Sequence, residues 1–172
     1  MKSKLTLSDG VVTLRPLVRE DIEMLRKWRN QESIRNSFVF NDKITSEQQA
    51  QWFEKYDADD TDCMFIALYE DEPVGASALY NISREDNSAE FGRLMLGDVK
   101  RRGLGLGRRF TQLTAQMGFD VLNLRRIYLE VFEENAYALK IYEGLGYRVT
   151  GHTIKSGKKV CLMEILADDF KQ

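Results

Sequence analysis

Lys100-Arg101-Arg102-Gly103-Leu104-Gly105-Leu106-Gly107-Arg108-Arg109 puts backbone amides and cationic side chains at the mouth of an amphipathic helix. The helix is read from Leu106, Phe110, Leu113, Met117 and Val121, which recur at steps of four, three, four and four. Glycine lets main chain approach an anion with no Cβ in the way, and the helix start adds unpaired N–H groups and the positive end of its dipole. The run therefore reads as a receptor for phosphate. Its backbone is supplied by Gly103, Gly105 and Gly107, and its cationic candidates are Arg101, Arg102 and Arg108. The bland alternative is a glycine-punctuated turn with solvated arginines. The dinucleotide fingerprint GxGxxG fails because Arg108 follows Gly107, and no Gly-Lys-Ser/Thr follows to make a nucleotide-hydrolase loop.

Working outward, Glu90–Leu96 reads as a strand feeding directly into the glycine run. On the far side, Arg125–Phe132 alternates, with Ile127, Leu129 and Val131 on one face and Tyr128, Glu130 and Phe132 on the other. Asn135 then caps a short helix that aligns Ala138, Ile141, Tyr142 and Leu145, and Gly146 stops it. Tyr147–His152 and Lys159–Leu166 are expected to pair around Lys155-Ser156-Gly157-Lys158. Upstream, Val11–Leu17 is a first strand, followed by a helix starting at Arg19 with Ile22, Leu25 and Trp28 on one face. Thr45 or Ser46 caps a second helix through Trp52, Phe53 and Tyr56. Cys63–Tyr69 and Pro73–Tyr80 form a hairpin around Glu70-Asp71-Glu72. The order predicts a mixed α/β (α+β) fold.

At 172 residues the chain has the size of one enzyme domain, and its polar patches are only loop-sized, so residues 1–172 are expected to form a single domain. A net charge of -2 argues against a nucleic-acid footprint over the whole surface. A single anionic ligand suits the local basic cluster better. Two distant cysteines, Cys63 and Cys161, and one histidine give no metal set, so the thiols are expected to be reduced core residues. No apolar stretch nears the ~18 residues of a spanning helix, and the start MKSKLTLSDG lacks the apolar core of a signal peptide. The expectation is a cytoplasmic protein with no membrane partner.

Arg102-x-x-Gly105-x-Gly107 resembles the pyrophosphate loop of the GCN5-related N-acetyltransferases, the GNAT superfamily. The likeness runs through EFGRLML (90–96), RRGLGLG (101–107) and LRRIYLEVFEENAYALKIYEGLGYRVTG (124–151). The phrase N-A-x-A-x-x-x-Y-E-x-L-G-Y over 135–147 is especially characteristic. LRPLVREDIEMLRKWRN (14–30) is similar to the branch with ribosomal-protein and polyamine acetyltransferases, while its WRN segment and the later aromatics also look like pseudaminic-acid-type amino-sugar acetyltransferases. The resemblance implies a GNAT fold, with a central, twisted, mostly antiparallel mixed sheet flanked by helices, and direct acetyl transfer from acetyl-CoA to a primary amine. It admits a homodimer.

An amine with a lysine-like pKa near 10 must lose its proton before attacking a thioester, so the site needs a base or a water path to one. Glu90, at the start of the strand entering the phosphate loop, is the first candidate; a solvated strand-end glutamate is the alternative. The resemblance gives Tyr142 the role of protonating the departing thiolate, although it also lies on an apolar helix face. It gives Asn135 a pantetheine contact beside its helix cap, and Met95 and Leu96 backbone pairing with pantetheine from a bulged strand. Trp28, Arg29, Asn30, Arg35, Phe38 and Phe40 belong to the region that shapes the acceptor pocket in similar enzymes. His152 reads as a partly exposed structural residue or an acceptor-side contact. The acceptor is expected to be an amino-sugar nucleotide or another small molecule. Alternatives are a protein N-terminus, a polyamine, or an inactive CoA-binding sensor module.

Overall fold

The computed structural model describes residues 2–170. Its frame is an eight-stranded sheet, built from β1 (Leu7–Ser8), β2 (Val12–Pro16), β3 (Cys63–Tyr69), β4 (Glu72–Ser83), β5 (Ser88–Leu96), β6 (Arg126–Phe132), β7 (Arg148–Lys155) and β8 (Lys158–Leu166). The strand order is β1-β2-β3-β4-β5-β6-β8-β7, and every pairing is antiparallel except β5 with β6. The helices are α1 (Ile22–Asn30), α2 (Glu32–Arg35), α3 (Ser46–Ala58), α4 (Leu106–Gln116) and α5 (Ala136–Leu145). This is the mixed α/β arrangement predicted by the order of motifs, with the mostly antiparallel mixed sheet and flanking helices that the resemblance implies.

The continuous apolar run of β3 follows from burial on both faces. Cys63, Phe65 and Ala67 pack with Phe110 and Leu113 of α4, while Met64 and Ile66 face Leu25 of α1 and Phe53 of α3. Gly75 is required by close approach, because a Cβ there would come 2.5 Å from the Phe110 ring. Truncating fully buried Phe110 to alanine would cost about 3–5 kcal/mol. Thr45 caps α3 reciprocally with Gln48, and Asn135 Oδ1 accepts from the Ala138 amide at 3.2 Å to start α5. Gly146 ends α5 with φ of 111°, which only glycine adopts without strain. Cys63 and Cys161 are both buried and unbonded.

Two departures from the sequence expectation have physical causes. The helix after the glycine run does not keep its period to residue 121. It widens into a π-type turn over Met117–Val121, which shifts the phase and leaves Val121 exposed although Met117 is fully buried. The helix expected from Arg19 begins as a 3₁₀ turn, Arg19–Asp21, in which the Asp21 carboxylate accepts from the Val18 amide and pairs with Arg15 at 2.6 Å. No helix among the described residues is long and apolar enough to cross a membrane.

The sheet opens at its parallel pair. β5 and β6 are in register only over Ser88–Glu90 and Arg126–Tyr128. β5 then bulges: Ala76 faces Met95 and Ala78 faces Gly92, so Ser77 spans both Arg93 and Leu94, with Arg93 at φ of 53°. The bulge carries 91–96 away from 129–132, and the gap between them is where the chemistry-bearing residues gather.

Candidate active site

A cavity of about 800 Å³ sits over this gap. From β5 it is lined by Glu90 and Met95, from the segment after β6 by Asn135, from α5 by Tyr142, and from the amino-terminal half by Arg29 and Phe38. Six positions singled out in the sequence, drawn from four separate stretches, therefore meet around one space. Phe40 lines it too, while His152 lies exposed on β7 outside the lining.

Glu90 is half-buried and held. The Tyr80 hydroxyl donates to Glu90 Oε2 at 2.7 Å across the β4–β5 ladder, where Tyr80 and Glu90 are direct partners. Tyr80 is fixed in turn by Gly92, since a Cβ at that position would come 2.4 Å from the Tyr80 hydroxyl oxygen. The Arg93 guanidinium lies over the Tyr80 ring at 4.4 Å and the Trp52 ring at 5.6 Å, and pairs with Asp62 at 2.7 and 2.9 Å. Burial, and then the hydrogen bond to Glu90, push the Tyr80 pKa up. Tyr80, Arg93 and Asp62 carry no motif, and sequence reading passed over them. The available signal was Gly92, a glycine interrupting an apolar strand, which marks close approach.

Tyr142 is 7% exposed and lines the cavity, packed edge-on against Phe91 at 5.9 Å and tilted against Tyr147 at 5.6 Å. Burial raises its pKa, so the phenol holds its proton throughout the neutral range. A buried neutral phenol facing a cavity is equipped to give a proton to a departing anion. The half-buried carboxylate of Glu90 is equipped to take one from an incoming amine.

The glycine loop lies beyond the cavity, past the end of β5. Gly103 and Gly105 hold φ of 84° and 72°, and a Cβ built on Gly103, Gly105 or Gly107 would meet nothing within 4 Å. Gly105 is the left-handed N-cap of α4 and no side chain caps the helix, so the first amides point into open space. Arg102 donates to Ser33 Oγ at 3.0 Å, joining the loop to α2, and Arg108 is exposed. Arg101 is committed elsewhere, bridging Glu70 at 2.9 Å and lying over the Tyr69 ring at 5.2 Å. Leu96 ends β5 just before the loop.

Trp28 and Asn30, expected at the acceptor pocket, lie outside the cavity lining. Gly97 approaches the Trp28 ring so closely that a Cβ would be 2.1 Å from it. Asn30 clamps the backbone of Ile44, donating to its carbonyl at 2.8 Å and accepting from its amide at 2.7 Å. Arg35 also lies outside the lining, with its Nε buried and unpartnered. No group of His, Cys, Asp and Glu that could hold a metal ion occurs among the described residues.

A split sheet, an uncapped helix start beside it and a carboxylate and phenol in the split form an arrangement suited to acyl transfer from an elongated, anionic donor. A family profile described as an acetyltransferase (GNAT) domain matches residues 12–148. Spermidine N(1)-acetyltransferase of Escherichia coli K12 is 31% identical over 140 residues, covering 81% of this chain and 74% of that protein. Acetyltransferase PseH of Campylobacter jejuni is 27% identical over 124 residues, covering 72% of this chain and 74% of that protein. The crystal structure of spermidine N-acetyltransferase from Vibrio cholerae in complex with CoA and spermine superposes with a TM-score of 0.85 at 25% identity, over 94% of this chain and 98% of that one. The chain belongs to the GNAT family of N-acetyltransferases.

Proposed function

We propose that residues 1–172 act as one N-acetyltransferase domain that takes acetyl-CoA as donor and acetylates the primary amine of a small molecule directly. The observation that carries this reading is the convergence of Glu90 and Tyr142 on one cavity in the β5–β6 gap, next to the uncapped start of α4. Acetyl-CoA supplies an activated thioester and a pyrophosphate by which to be held. The amides of 105–107 and the dipole of α4 bind that pyrophosphate, with Arg102 and Arg108 at its edge. The free edge of β5 at Met95 and Leu96, with Asn135 opposite, holds the pantetheine arm as an added strand. Glu90, oriented by Tyr80, accepts the acceptor's ammonium proton directly or through a water. Tyr142 then returns a proton to the sulfur that leaves.

For the acceptor, the charges lining the cavity support an amine that also bears an anionic group, such as an amino-sugar nucleotide. Arg29, Lys55, Arg93 and Lys155 line it against Glu90 and Glu130. Arg93 is neutralised by Asp62 and Lys155 by Glu130, leaving Arg29 and Lys55 against Glu90. The second reading, a polyamine acceptor, is favoured by the names of the Escherichia coli and Vibrio cholerae relatives.

Release of free CoA from acetyl-CoA, measured against amino-sugar nucleotides, polyamines, aminoglycosides and N-terminal peptides, tests the proposal. One class should exceed the others by ~100-fold in kcat/KM, about 2.7 kcal/mol of transition-state binding. Acetyl-CoA binding with no release on any amine would favour the sensor-module reading instead.

A further inference from the structure

Arg29 is a buried charge without a counter-charge among the described residues. It is 7% exposed, yet Nη1 has no hydrogen-bond partner, and Nη2 reaches only the carbonyl of Phe40. Its guanidinium stacks on the Phe38 ring at 4.0 Å, and Arg29, Phe38 and Phe40 together form one wall of the cavity. Burial drives its pKa down, and the neighbouring charge of Arg35 has the same sign. Arg35 leaves its own Nε buried and unpartnered. Burying a guanidinium without a counter-charge is unfavourable, and a bound anion would offset that cost. Arg93 and Lys155 of the same lining are paired by contrast, Arg93 with a bidentate carboxylate and Lys155 with Glu130, and Lys55, which has no such partner, is exposed to solvent.

We propose that Arg29 is the specificity-determining residue for the acceptor, binding a phosphate or carboxylate carried by the same molecule as the reacting amine. The inference rests on the acetyltransferase reading above and names its substrate class. An arginine presents planar paired donors that match either anion, so the geometry selects the charge and leaves its carrier to experiment. The anion, gripped at the Phe38–Phe40 wall, would hold the amine toward Glu90 of β5 in the same lining. A polyamine offers only positive charge and leaves Arg29 unpaired.

The test is calorimetry on full-length protein saturated with CoA, so that the pyrophosphate site is filled. Uridine diphosphate serves as the phosphate probe, glutamate as the carboxylate probe and spermidine as the cationic one. At least one anionic probe should bind wild type, weaken by tenfold or more in Arg29→Gln, and recover in part in Arg29→Lys. Acetyl-CoA affinity should be equal in all three proteins. The probe that binds separates phosphate from carboxylate. Spermidine binding to wild type without either anion overturns the inference, and does so even if Arg29→Gln does not fold. Equal anion binding by Arg29→Gln also overturns it, as does a selective loss of acetyl-CoA affinity, which would place the guanidinium on the donor side. Wild type that fails to bind acetyl-CoA defeats the acetyltransferase reading itself, whereas acetyl-CoA binding with anion indifference defeats only this inference.

Discussion

The Tyr80 hydroxyl donates to Glu90 Oε2 at 2.7 Å from a ring seated so close to Gly92 that a methyl group there would collide with it. The carboxylate thus has Oε2 engaged by Tyr80, and in the proposed mechanism its other oxygen serves the acceptor. Gly92→Ala should push Tyr80 aside and lower kcat/KM by roughly 10-fold, less than the ~100-fold or more expected on losing an acid–base group outright, while acetyl-CoA affinity stays constant. Tyr80→Phe should reproduce that loss. Glu90→Gln should lose more, and its deficit should shrink as pH rises and more acceptor amine is already neutral. A pH-independent deficit in Glu90→Gln would assign the carboxylate to holding the acceptor instead of taking its proton.

Gly105→Asp should abolish measurable acetyl-CoA binding in calorimetry while circular dichroism shows a folded protein. Its φ of 72° is one that Asp and Asn tolerate best among residues with a Cβ, and the space around it is open, so the backbone survives the change. Gly105→Asn is the control. It adds the same bulk without the charge and should cost clearly less affinity than the carboxylate. Equal losses in the two variants would mean that shape, and not anion binding, is at stake in the loop.

Burial pushes Tyr56 up to about 12 and raises Tyr80, Tyr142 and Tyr147 as well. In the unfolded chain each titrates near 10. The folded state therefore keeps protons that the unfolded state has released, so stability is full below pH ~10 and falls as pH rises above it. Phenolate absorbance should show these four tyrosines ionising together with the loss of native circular dichroism. Ionisation of all of them before any unfolding would contradict the burial of Tyr142.

The glycine loop and the cap of α5 were legible because they depend on local chemistry. Glycines with positive φ before an amphipathic helix, and an asparagine cap three residues before a buried alanine, are written in consecutive residues. The split between β5 and β6 was not, since it arises from a three-residue parallel pairing between segments separated by all of α4. Tyr80 and Asp62 escaped notice for the same reason: their meaning comes from partners on another strand. Val121 misled because apolar periodicity carries no mark of a π turn. Arg29 was placed at the acceptor pocket by resemblance, but its missing partner could be recognised only once the surrounding 37–40 segment was in position.

In the proposed mechanism acetyl transfer occurs in the split between β5 and β6, with Tyr142 as the acid. Tyr142→Phe keeps the ring against Phe91 and Tyr147 and removes only the hydroxyl. Measured side by side, acetyl-CoA affinity should be unchanged and turnover should fall by roughly 10- to 1,000-fold, about 1.4–4 kcal/mol of transition-state stabilisation. Full turnover in Tyr142→Phe, with donor binding intact, would return this tyrosine to the core and contradict the account.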